Sequence, residues 1–78
     1  MKSPLVKSLS SDDLHKYSDL QVLKSAAGYY IGTVYTDGSF TEPGSRDSSY
    51  FKTEVAAQGL LDYIVETGDI SPLRTEYD

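Results

Sequence analysis

Ser10, Ser11, Asp12 and Asp13 stand beside His15, the one histidine of this 78-residue chain. Nucleophilic catalysis needs a hydroxyl or thiol, a base that takes its proton, and a group that orients the base. The residue types are right, but all five lie within about a turn, whereas working sets converge from separate parts of a fold. Helix caps and turns account for the serines more simply. Asp12, Asp13 and His15 are also the nearest approach to a transition-metal site, and the chain has no cysteine. Such sites cluster His or Cys ligands, and adjacent residues on a helix point apart, so neither a metal nor a cofactor is expected. The glycines at 28, 32, 38 and 44 fit neither G-x-G-x-x-G nor G-x-x-x-x-G-K-S/T, the spacings that cradle phosphates. Twelve acids in a chain too small for a deep cleft read as a solvated surface rather than an acid–base pair. The expectation is that the protein is not an enzyme.

Recognition chemistry is better represented. Residues 26–53 hold six of the nine aromatic residues and four of the six glycines. Tyr29, Tyr30, Tyr35 and Tyr50 with Arg46 are the types enriched at the centres of protein interfaces. Each has a plainer reading as core or as a structural arginine stacked on a ring. Asp62, Glu66 and Asp69 add a negative surface further along.

Charge narrows the choice of partner. The net charge is −5 and unevenly placed. Residues 1–24 set four lysines against three aspartates, a balance of +1, and residues 25–78 set three cations against nine acids, a balance of −6. Nucleic acid is bound by neutralising its phosphates with Lys and Arg, so most faces of this chain would repel it. A basic protein surface is the partner that fits, though modest acidity also serves solubility alone. No apolar run reaches the roughly 20 residues that span a bilayer, and no long apolar segment follows Met1-Lys2-Ser3-Pro4. Absence of cysteine fits a reducing compartment. A soluble protein of the cytoplasm is expected, with no membrane association.

The elements that would position these residues follow from local pattern. Length and the lack of any repeat indicate one domain over 1–78, with 1–9 an extended arm and 69–78 a loose tail. Ser10-Ser11-Asp12-Asp13 marks a helix start, with a short helix over 11–18. Strands are expected at 20–24, at 29–36, where Tyr, Ile, Val and Thr suit a pleated surface, and at 48–52. Gly28 closes the first turn and Asp37-Gly38 the second, with Phe40 beginning a return and 41–47 a loop around Pro43-Gly44. Gly32 in mid-strand signals a bulge or a close backbone approach. Thr53 caps a helix over 54–67 that ends at Gly68. Its polar stripe is Glu54, Gln58, Asp62 and Glu66; its apolar side is Val55, Ala56, Leu60, Tyr63 and Ile64, widened by Leu61 and Val65. Gly59 within it is read as close packing on a strand. The fold class is α+β: a three-stranded antiparallel sheet packed on the C-terminal helix, with a short N-terminal helix.

Two resemblances attach to particular strings. Tyr50-Phe51-Lys52-Thr53-Glu54 running into Leu60-Leu61 resembles the strand-to-helix junction of arm-type DNA-binding domains in phage integrases. Those domains present a basic sheet, whereas residues 26–53 set Arg46 and Lys52 against Asp37, Glu42 and Asp47. The second covers 24–65. Gly28-Tyr29-Tyr30-Ile31-Gly32, then Ser45-Arg46-Asp47-Ser48, then Tyr50-Phe51-Lys52-Thr53 resembles small bacteriophage and prophage reading frames with G-Y-Y-I-G, S-R-D/E-S, Y-F-x-T and an Ala-rich helix. That resemblance implies a phage context, in which small acidic proteins commonly bind a host protein, anti-CRISPR inhibitors being the best-known class. The expected function is a non-enzymatic protein that binds and blocks a host protein such as a CRISPR–Cas effector. Tyr29, Tyr30, Arg46, Tyr50, Asp62, Glu66 and Asp69 are its candidate contact residues. The alternatives are a nucleic-acid-binding accessory protein and a homodimer formed through the tyrosine face.

Overall fold

The computed structural model describes residues 1–73. Its elements are α1 (Ser11–Leu14), β1 (Gln21–Ser25), β2 (Gly28–Asp37), β3 (Phe40–Arg46) and α2 (Glu54–Thr67). The strands form one antiparallel sheet in the order β1-β2-β3, so both connections are hairpins. Ser25 pairs with Gly28 across an Ala26-Ala27 turn. Asp37 pairs with Phe40 across Gly38-Ser39. Gly38 takes φ +63° while Ser39 keeps a negative φ, the pattern of a type II′ turn, which matches the right-handed twist of its strands.

β2 is the centre of the molecule. Ile31 on one face is fully buried and packs with Leu20, Leu61, Ile64 and Leu73, with Val22 and Leu60 against them. α2 covers that face over β1 and β2 and does not reach β3. Thr53 caps it by accepting a hydrogen bond from the Ala56 amide (3.2 Å), and Gly68 ends it in the left-handed conformation, its N–H donating to Ile64 O (2.8 Å). The buried residues of α2 are Ala57, Leu61 and Ile64. The apolar side expected around Val55, Ala56 and Tyr63 is instead turned outward, with Val55 82% exposed. Eight apolar residues on so short a helix allow more than one seam, and the fit against Ile31 and Leu20 selects it. Gly59 faces open space rather than a strand.

Three boundaries differ from the sequence pattern. The third strand is Phe40–Arg46, not 48–52, and the expected 41–47 loop is that strand. Pro43 is accommodated because β3 is an edge strand. Gly44 is a bulge: pairing steps from Thr33↔Ser45 to Val34↔Pro43 and leaves it without an opposite residue. Of 48–52, Phe51 alone pairs with the sheet, exchanging both backbone hydrogen bonds with Tyr29 (2.9 and 2.6 Å). The first helix stops at Leu14 rather than 18. Lys16 and Ser18 give their backbone groups to β2 instead, Thr36 N–H donating to Lys16 O (2.8 Å) and Ser18 N–H to Val34 O (2.9 Å).

Neither end behaves as a free segment within the described residues. The expected extended arm turns twice, with Val6 N–H to Ser3 O and Leu9 N–H to Val6 O, and it buries Ser3 and Val6. Leu73, in the segment expected to be a loose tail, joins the core; residues 74–78 lie outside the described residues.

Candidate functional site

The seven candidate contact residues divide between the two faces of the sheet. Side chains alternate along β2, so Tyr30 and Gly32 face away from Ile31 and α2. Arg46 is paired with Gly32 and shares that face. Tyr50, 45% exposed, closes over both: its ring meets the Tyr30 ring edge-on at 5.8 Å, and the Arg46 guanidinium lies 4.8 Å from its centroid. Arg46 Nη1 also donates to Ser48 O (2.8 Å). Tyr30 is itself buried, and burial pushes its phenol pKa up. A shallow groove of about 290 Å³ runs beside this stack. Tyr29 points to the opposite face, where the Lys24 ammonium sits 5.7 Å from its ring.

Asp62, Glu66 and Asp69 are on the α2 side. Asp62 and Glu66 are exposed, and Asp62 accepts from Gln58 Nε2 (2.9 Å). Asp69 lies just past the helix. The Ser71 hydroxyl and amide, then the Tyr63 hydroxyl (2.9 Å), hold its carboxyl below the usual carboxylate range. The same contact with Asp69 pushes the Tyr63 phenol up. Among the described residues no cation pairs with any of the three acids. A negative charge near a helix C-terminus opposes the backbone dipole, and the last turn of α2 holds no basic residue to offset it.

The Ser45-Arg46-Asp47-Ser48 string has a structural explanation. Asp47 is fully buried and accepts from Ser45 Oγ (2.7 Å) and from Ser3 Oγ, which ties the N-terminal segment to the end of β3. Its N–H donates to Ile31 O (2.8 Å), and Ile31 N–H donates to Ser48 Oγ (2.8 Å). These bonds replace the strand pairing that β3 gives up after Arg46. They also let the chain loop outward and set Tyr50 over Tyr30.

A larger groove was not anticipated from the sequence. It lies between α1 and the β2–β3 hairpin, with a volume of about 500 Å³. Tyr17, Tyr35 and Phe40 supply aromatic walls, and Asp13, Asp37 and Glu42 supply carboxylates. Its floor is Pro43-Gly44, where a Cβ on Gly44 would come within 2.8 Å of both Thr33 Oγ1 and Tyr17 Cδ2. The Tyr17 and Tyr35 rings meet edge-on at 5.1 Å, and Phe40 is 56% exposed. Lys16 Nζ reaches Asp37 at 3.5 Å. Asp37, then Tyr35, raises the Lys16 pKa. A signal for this groove exists in the sequence: with a two-residue turn at 38–39, alternation places Tyr35, Asp37, Phe40 and Glu42 on one face. It is visible only once 41–47 is taken as a strand.

Among the described residues no group of three or more His, Asp or Glu side chains is placed to hold a metal ion, and no helix is long and apolar enough to cross a membrane. No family model, curated protein or solved structure matches this chain.

Proposed function

We propose that this chain is a non-enzymatic protein of a phage-infected cell that binds and blocks a host protein with a basic surface, of the kind a CRISPR–Cas complex presents. The observation that carries the reading is the outward face of α2. Asp62 and Glu66 stand there without a cation among the described residues, and Glu66 and Asp69 lie at the end of the helix where negative charge is least favourable. Acids placed toward the negative end of a helix with no neighbouring cation break a local rule, and such breaks are expected at functional surfaces. Blocking would act by occlusion, the acids steering the partner and excluding its natural nucleic acid or protein ligand. The Tyr30–Arg46–Tyr50 stack is a second contact surface on the opposite side of the sheet.

The test compares the chain with Asp62→Lys/Glu66→Lys, both surface changes that leave the core intact. Expression of the unaltered chain in CRISPR-immune cells is expected to raise plaquing by a targeted phage. The doubly reversed form should not, and it should fail to retain the partner in a pull-down. Equal capture by both forms would remove the electrostatic basis of the proposal. Unchanged plaquing with the unaltered chain would remove the CRISPR target.

A further inference from the structure

We infer that the groove between α1 and the β2–β3 hairpin receives an arginine or lysine side chain from a basic segment of the partner protein. The inference rests on the reading that the partner is basic, and it names the place and chemistry of contact. Three features support it together. Tyr17, Tyr35 and Phe40 line the groove, and ring faces attract cations. Three carboxylates, Asp13, Asp37 and Glu42, line the same groove, and even with the Lys16 ammonium paired to Asp37 the local balance is −2. The chain's own Lys16 pairs with Asp37 at 3.5 Å, so one carboxylate of the lining already holds an ammonium. A guanidinium would meet carboxylates in forked geometry and stack on a ring at once. The floor also favours a side chain over an added strand. β3 is the sheet edge, but Pro43 offers no N–H and Gly44 breaks the register, so an incoming backbone finds no continuous ladder. Tyr35 shares the face of Ile31, so the groove and the acids of α2 lie on one side of the sheet and one partner can span both.

The full chain, 15N-labelled, is titrated at low salt with an acetylated tetra-arginine amide and with its neutral citrulline counterpart. Arginine-dependent shifts are expected at Asp13, Tyr17, Tyr35, Phe40 and Glu42, and none with citrulline. Glu42→Arg and Phe40→Ser, both at exposed positions, should each weaken binding by about tenfold, close to 1.4 kcal/mol. Lys16→Gln, which removes the resident ammonium from Asp37, should strengthen it. Shifts centred on Asp62, Glu66 and Asp69 with the groove silent would overturn the groove while leaving the basic-partner reading intact. Absence of binding anywhere would overturn both, and so would groove shifts produced by single-stranded oligothymidylate in place of the peptide.

Discussion

Asp47 shows how much one side chain carries in a molecule of this size. Its carboxylate takes hydroxyl donors from Ser3 and Ser45, residues far apart in the chain, at a fully buried position. Asp47→Ala leaves both hydroxyls without their acceptor and should cost about 2–3 kcal/mol, read from the urea midpoint. Gly32 is equally constrained, because a methyl there would collide with the Ser45 carbonyl oxygen. Gly59 is the opposite case. It sits in mid-helix with nothing near the position of a Cβ, so Gly59→Ala should stabilise by about 1 kcal/mol in the same measurement. A loss of stability in Gly59→Ala would mean that this face of α2 is covered.

At the scale of elements, α2 combines a well-made start with an unfavourable end. Thr53 and Gly68 close its termini, while Glu66 and Asp69 oppose its dipole. Glu66→Lys should therefore raise thermal stability by about 0.3–1 kcal/mol and at the same time weaken capture of a basic partner. A variant that gains stability and keeps full capture would assign the acid to solubility alone. β3 shows a different compromise. Pro43 and the Gly44 bulge shorten its regular pairing, yet they remove the edge as a template for strand addition. This leaves the aromatic groove, rather than backbone pairing, as the means of contact at that edge.

At the scale of the whole molecule, the ion pairs among the described residues lie within residues 1–37 at largely exposed positions, and the pH dependence of the perturbed groups has a definite sign. Asp19 is held below the usual carboxylate range, first by the hydrogen bond from Lys2 and then by the charge of the amino terminus 3.4 Å away. Asp69 is lowered by Ser71. Depressed carboxyls contribute stability above their unfolded values, and that contribution is lost as pH falls through their folded values. Lys16, raised by Asp37, and Tyr63, raised by Asp69, contribute below their unfolded values and lose it as pH rises through their folded ones. The melting temperature should be flat near neutral pH and decline at both ends. Asp19→Asn should reduce the acid-side decline, and added salt should flatten both. These groups are largely exposed, so the effects are modest.

Element types were legible because they depend on neighbours in sequence. A turn at Gly38, one residue later than the Asp37-Gly38 pair suggests, the Tyr29–Val34 run of strand formers, and the Thr53 and Gly68 caps are local decisions with local energies. The fold class follows from their order. Three things were not legible, each for want of a distant partner. Tertiary pairing overrode Pro43-Gly44 and made a strand, because an edge tolerates a missing N–H. The inward seam of α2 was chosen by Ile31 and Leu20, which turned Val55 out and Leu61 in. The grouping of candidate residues was settled by strand alternation around Gly32 and by the Asp47 loop, which joined Tyr30, Arg46 and Tyr50 and sent Tyr29 to the other face. By itself the sequence determined the types of α1, β1, β2 and α2, the acidity and the exclusion of thiolate chemistry. The tertiary structure decided which side chains meet, because alternation assigns faces only after register is known, and the segment beyond β3 is placed by contacts between residues as far apart as Ser3 and Asp47.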